Sequence, residues 1–150
     1  MAETGDEAPD FTLPSTQGEL RLSDLAARVK VLLAFYAEDN TPLCSSELSM
    51  LKDDYGIVKE LGAQVIAVSA GSLESHRQFA ERLGGVPFAL ASDERLEAAR
   101  AYGVVAEDGK RSRRAVFVIE GGRIVHANAW FEPGNPAQYE AVFRALGLEG

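Results

Sequence analysis

Apolar residues in this chain follow two rhythms that alternate along its length. Three short runs are apolar almost without interruption: VKVLLAFY at 29–36, QVIAVSA at 64–70 and PFALA at 87–91. A run of this kind is what a strand buried on both faces requires. Between the first two runs the spacing changes. Cys44, Leu48, Leu51, Tyr55 and Val58 recur at three- and four-residue intervals, so one helical face carries all five. Thr41 suits the cap of that helix and Pro42 its first position. Gly56 costs about 1 kcal/mol relative to Ala, and the helix is expected to bend or thin there.

A second helix follows, with Leu73, His76, Ala80 and Leu83 on one face and glycines closing it. ERLEAARAYG at 94–103 predicts a short third helix ended by Gly103. RAVFVIEGGRIVHANAW reads as a hairpin, two β-rich runs around Gly121-Gly122. Asn135 then caps, and Pro136 opens, a last helix that buries Tyr139, Val142, Phe143 and Leu146. Ahead of the first apolar run, DFTLPSTQGELRL at 10–22 predicts a small hairpin, and SDLA at 23–26 a single helical turn capped by Ser23. Helices alternating with buried strands imply an α/β sandwich on a central sheet, with the late hairpin adding an antiparallel part. No repeat or linker divides the 150 residues, so one domain is expected over 1–150.

Charge narrows the choice of partners. With 15 basic and 23 acidic residues, a net charge of −8 disfavours nucleic acid and anionic membranes. The polar, acidic start MAETGDEAPD is unlike a secretory signal, and Val31–Tyr36 is far too short to span a bilayer. The single cysteine excludes an internal disulfide, which fits a reducing, cytoplasmic setting. Cys44, His76 and His126 are too few and too scattered for a zinc site without several carboxylates.

That one cysteine lies within the first turn of the first long helix. The opening N–H groups of a helix have no partner inside it, and they favour a thiolate. A thiol of ordinary pKa about 8.5 drops to roughly 3.5–7.5 in such settings. The loop after a buried strand also lies at the sheet edge where α/β folds bind ligands. Position alone leaves two readings open, because a free cysteine in line with an apolar stripe is also a small core hydrophobe.

Four segments, in order, resemble the peroxiredoxins of the AhpC/TSA family, and among them the bacterioferritin comigratory protein or peroxiredoxin Q group. GDEAPDFTLPSTQGELRLSDL resembles the family's N-terminal segment, FYAEDNTPLCSSE its active-site segment, SHRQFAERLGGVPFALASD the helix and strand that follow, and RRAVFVIEGGRIV its arginine strand. The resemblance implies a thioredoxin-like fold with an N-terminal hairpin extension. It implies that Cys44 is the peroxidatic cysteine, that the Thr41 hydroxyl contacts thiolate and peroxide, and that Glu47 helps to orient Arg114, the active-site arginine. From local sequence, Thr41 and Glu47 also read as ordinary helix-start residues, and Arg114 as one of the cluster Lys110, Arg111, Arg113 and Arg114. His76 and His126 are expected at the surface or core edge, and Trp130 and Phe131 in the core.

Three positions depart from the family pattern. Ala37 replaces the proline after FY, Val116 a threonine in the arginine strand, and Ser49 the resolving cysteine that many members carry five residues after the first. The implied activity is reduction of hydrogen peroxide or alkyl hydroperoxides by a one-cysteine mechanism, with no metal, haem or flavin. The sulfenic acid left on Cys44 then needs an external thiol: thioredoxin, glutaredoxin or a low-molecular-weight thiol. A monomer or homodimer is expected. The alternatives are a catalytically weak redox sensor or interaction module, a thiol–disulfide oxidoreductase, for which no C-x-x-C is present, and a Cys–His hydrolase, for which no local signature is present.

Overall fold

The computed structural model describes residues 2–132 and 134–148. At its centre is a five-stranded sheet made of β3 (Lys30–Phe35), β4 (Ala63–Ser69), β5 (Ala89–Ser92), β6 (Ala115–Glu120) and β7 (Arg123–Asn128). The strand order is β5-β4-β3-β6-β7. β5, β4 and β3 run parallel, whereas β6 is antiparallel to both β3 and β7. β3 therefore has neighbours on both edges and helices on both faces, which is why its sequence is apolar at every position after Lys30. The hairpin expected at 10–22 is a pair of two-residue strands, β1 (Thr12–Leu13) and β2 (Leu20–Arg21).

Alternate β3 residues feed two separate cores. Val31, Leu33 and Phe35 pack with Phe11, Leu22, Ala99 and Tyr102, under the hairpin and two short helices. These helices are α1 (Leu22–Ala26) and α5 (Glu97–Tyr102). Leu32, Ala34 and Tyr36 pack on the opposite face with Cys44, Leu48, Phe79 and Phe143. The helices on that side are α2 (Pro42–Asp53), α3 (Tyr55–Glu60), α4 (Leu73–Arg82) and α6 (Pro136–Leu146). Full burial of each large apolar side chain contributes about 1.5–3 kcal/mol, so both layers are needed to hold the sheet.

Several local expectations are corrected. α1 begins one residue early, at Leu22, and Ser23 does not cap it; its N–H and hydroxyl both bind the Asp10 carboxylate at 2.8 Å. The first long helix breaks at Asp54 rather than thinning at Gly56, which lies inside α3. Asp54 accepts a hydrogen bond from the Tyr139 hydroxyl at 2.8 Å, so the break is tied to α6. Tyr139 itself is only half-buried. α5 starts at Glu97 because Leu96, with φ 58°, turns the chain there. The Asn135 cap stands as expected, accepting from the N–H groups of Ala137 and Gln138. Gly121 and Gly122, at φ 60° and 78°, supply the two positive values that a tight β6–β7 turn requires.

Candidate active site

Sheet register assembles this site. Phe35, the last residue of β3, pairs with Ala115, the first of β6. Tyr36 leaving one strand and Arg114 entering the other therefore meet at the same sheet edge. Ser112 joins the two loops there, its hydroxyl donating to the Tyr36 carbonyl at 2.8 Å.

Cys44 is the third residue of α2 and is 1% exposed, within the apolar cluster that holds Tyr36, Leu48, Val116 and Phe131. The first bond of the helix runs from the Ser45 N–H to the Thr41 carbonyl at 2.8 Å. The N–H groups of Leu43 and Cys44 precede that bond and have no partner within the helix, leaving partial positive charge around the sulfur. Thr41 occupies the cap position with extended backbone, but its hydroxyl makes no cap bond; it donates to the Glu38 carbonyl at 3.2 Å.

Glu47 lies one turn beyond Cys44 and is 1% exposed. Among the described residues neither of its oxygens has a hydrogen-bond partner, nor has the buried Nε of Arg114. Burial pushes the Glu47 carboxyl from 4.5 to about 8, while the Arg114 guanidinium opposes that rise. The two side chains are thus electrostatic neighbours, yet they form no ion pair in this arrangement. Cys44, Thr41 and Glu47 share the start of α2, and Arg114, entering β6 beside the end of β3, lies close enough to Glu47 to act on its carboxyl.

Arg114 also lines an open cleft of about 420 Å³, with Ala37, Arg113, Trp130 and Phe131 on its walls. Arg113 is not a plain solvated neighbour. Its guanidinium lies 4.0 Å from the centre of the Trp130 ring and donates to the Gly103 carbonyl at 2.7 Å. Trp130 is 62% exposed, against the core position expected of it, while Phe131 is buried at 4%. The exposed indole still gains from the cation held over its face.

The histidine expectation fails for His76, which is completely buried. Its Nδ1 lies 2.7 Å from Asp39 Oδ2 and its Nε2 lies 3.1 Å from the Ala91 carbonyl. Asp39 also accepts from the Tyr36 hydroxyl and from the Ser75 hydroxyl, both at 2.6 Å. Burial would raise the Asp39 carboxyl, but the hydrogen bonds from His76, Ser75 and Tyr36 outweigh it and hold the carboxyl below its ordinary value. Burial and the Asp39 charge push the Tyr36 phenol up, so it stays a donor. His126 matches its expectation better: it is half-buried on β7, and burial lowers its pKa. His76 shares a helix face with Leu73, Ala80 and Leu83 in the sequence pattern. An ionisable ring on such a face calls for buried partners, and the structure supplies Asp39 and Tyr36.

Residues 4–127 match the AhpC/TSA family, and the chain belongs to that family, the peroxiredoxins. Within it, the likeness is to the bcp and peroxiredoxin Q type. The chain is 34% identical over 132 residues to the peroxiredoxin bcp of Coxiella burnetii, covering 83% of this chain and 86% of that one. It is 32% identical over 133 residues to the chloroplastic peroxiredoxin Q of Sedum lineare, covering 86% and 70%. Among solved structures, peroxidoxin BcpB from Mycobacterium tuberculosis overlays with a TM-score of 0.87 at 28% identity, across 97% of each chain. The fold is thioredoxin-like, with a mixed central sheet and an N-terminal hairpin. The activity is that of a thiol peroxidase working through one cysteine, which implies a peroxide as substrate and an external thiol as reductant. Among the described residues, no group of three His, Cys, Asp or Glu side chains could hold a metal ion, and no helix is long and apolar enough to cross a membrane.

Proposed function

We propose that Cys44 attacks the terminal oxygen of hydrogen peroxide or an alkyl hydroperoxide, with Thr41, Arg114 and Glu47 completing the site. The Cys44 thiolate forms an S–O bond as the O–O bond breaks. The leaving oxygen takes a proton and departs as water or an alcohol, and sulfenic acid remains on Cys44. The Arg114 guanidinium and the N–H groups of Leu43 and Cys44 stabilise charge on the breaking bond. Because the Thr41 hydroxyl donates to Glu38, its lone pairs are left to accept the peroxide's O–H. Glu47 limits where Arg114 can point. As a buried group largely protonated at neutral pH, it does so without cancelling the guanidinium charge.

The observation that carries this reading is the Phe35–Ala115 register, which brings Arg114 to the mouth of the loop leading into Cys44. Residues 1–150 act as one domain in the cytoplasm, as a monomer or homodimer. Thioredoxin, glutaredoxin or a small thiol returns Cys44 to its thiolate, and the net charge of −8 keeps nucleic acids and membranes out of that list.

Stopped-flow oxidation of the reduced protein by hydrogen peroxide, with a sulfenic-acid trap and intact mass analysis, tests the proposal. Wild type should yield one trapped adduct and Cys44→Ala none. Arg114→Ala should react about 10²–10³-fold more slowly, the effect of losing one preorganised donor of developing charge. Oxidation of Cys44 at the rate of an ordinary free thiol would overturn the assignment.

A further inference from the structure

The loop between β3 and α2, residues 36–41, has to serve two opposed steps. Peroxide attack uses the closed arrangement in which Cys44 is 1% exposed. Reduction of the sulfenic acid needs a thiol to reach that same sulfur, and nothing larger than a small solute reaches it while the loop is closed. Some set of contacts must therefore hold the loop shut and still let it open.

The middle of this loop is anchored through one side chain. Asp39 turns inward, its side chain 4% exposed, and its carboxylate receives Tyr36, Ser75 and His76 together. His76 is fixed in turn from its other nitrogen by the Ala91 carbonyl on β5. Each ring nitrogen of His76 therefore has its own partner, one on the loop and one on β5. Space has been kept for the pair: a Cβ at Gly71 would stand 3.1 Å from Asp39 Oδ2 and 3.1 Å from His76 Cε1. The next residue, Asn40, is held at φ 63°, a conformation that a loosened chain would leave. On the exposed side of the loop, Glu38 meets Arg111 at 3.4 Å in an ion pair open to solvent.

We propose that Asp39 and His76 are positioning residues, a buried clamp that holds loop 36–41 in the closed form used for peroxide reduction and whose release exposes oxidised Cys44 to its reductant. This rests on the peroxidase reading above. In the open form one thiol attacks the sulfenic sulfur, forming a mixed disulfide and releasing water; a second thiol then displaces Cys44 as thiolate and leaves as the disulfide of the reductant. The clamp takes part in neither bond change and sets only which form is populated.

The clamp acts on the two steps in opposite directions, and a merely structural role does not. Three variants remove acceptors or donors in grades: Ser75→Ala, Tyr36→Phe and Asp39→Ala. Three quantities are read on each: the peroxide oxidation rate of Cys44, the rate of sulfenic-acid reduction by dithiothreitol, and alkylation of reduced Cys44 by a bulky maleimide. Losing a hydrogen bond to a charged group shifts a local equilibrium by about tenfold or more. Asp39→Ala loses three such bonds, and a shift in the loop equilibrium divides between its two populations, so the slowing of oxidation and the quickening of reduction or alkylation should multiply together to about 10³-fold. Ser75→Ala, which loses one bond of three and stays folded, should slow oxidation and quicken reduction and alkylation as Asp39→Ala does, by less. Parallel changes in all three rates, or wild-type rates in Asp39→Ala, would overturn the clamp. The maleimide reaction involves no peroxide. If wild-type Cys44 proved unreactive to peroxide, the alkylation series would still decide for or against the clamp while the peroxidase assignment fell.

Discussion

Replacing Glu47 with glutamine should change the pH dependence of stability more than its absolute value. Glu47 is 1% exposed with no hydrogen-bond partner for either oxygen among the described residues, and burial holds its carboxyl at about 8 against an ordinary 4.5. Between pH 4.5 and 8 the folded state keeps a proton that the unfolded chain has released, so folding loses stability as pH rises through that window. Below pH 4.5 both states are protonated and the penalty is absent; above pH 8 it is fully present. At 1.36 kcal/mol per pH unit the whole window corresponds to about 5 kcal/mol, an upper limit since neighbouring groups relax. The buried amide of Glu47→Gln also lacks a partner and carries its own cost, but that cost does not vary with pH. Urea unfolding of both proteins at intervals from pH 5 to 9 isolates the difference, because every other titrating group is common to the two. The variant should gain on wild type by about 1.4 kcal/mol per pH unit through the middle of the window. A difference that stays constant within about 1 kcal/mol from pH 5 to 8 would mean that Glu47 is ionised in the folded state and that Arg114 holds it so.

Three further outcomes are expected. Gly71→Ala places a methyl 3.1 Å from Asp39 Oδ2 and from His76 Cε1, two groups that hydrogen bonds keep from moving, and should lower stability by about 1–3 kcal/mol in denaturant titration. An unchanged midpoint would show the pair to be compliant. Asn135→Ala removes the side-chain acceptor for Ala137 and Gln138 and should cost about 1 kcal/mol, most of it restored by Asn135→Ser. Leu48→Ala, at a position with no exposed surface directly beyond Cys44, should cost about 2–5 kcal/mol by the same titration.

Long-range order was the legible part of this fold. An apolar run such as Val31–Tyr36 leaves no polar face for solvent, and that alone places it in the middle of a layered sheet. Helix boundaries were less legible, because they depend on distant partners. Asp54 breaks the helix where Tyr139 can bind it, and nothing near Gly56 announces that. At the site, Cys44 and its helix start could be found from spacing, whereas the choice of Arg114 among four neighbouring basic residues came from family likeness. Physics supplies the reason afterwards: Arg114 immediately precedes β6, so register fixes it beside Tyr36, while Arg111 is taken up by Asp108 and Glu38 and Arg113 by Trp130. Trp130 and His76 exchanged their expected places for a common reason. His76 finds buried partners in Asp39 and the Ala91 carbonyl, and the exposed Trp130 ring is met by the Arg113 guanidinium; hydrophobicity registers neither contact.

The seclusion of Cys44 carries a thermodynamic corollary. Cys44 belongs to the same apolar cluster as Leu48, Val116 and Phe131, and oxidation to the sulfenic acid adds a buried hydroxyl there. To the extent that the N–H groups at the start of α2 leave that hydroxyl unmatched, it costs about 1–3 kcal/mol. For a chain of this size each kcal/mol moves the melting temperature by about 2–4 °C. Peroxide exposure is thereby converted into a loss of heat tolerance, and a calorimeter can follow the redox history of the protein without any chromophore.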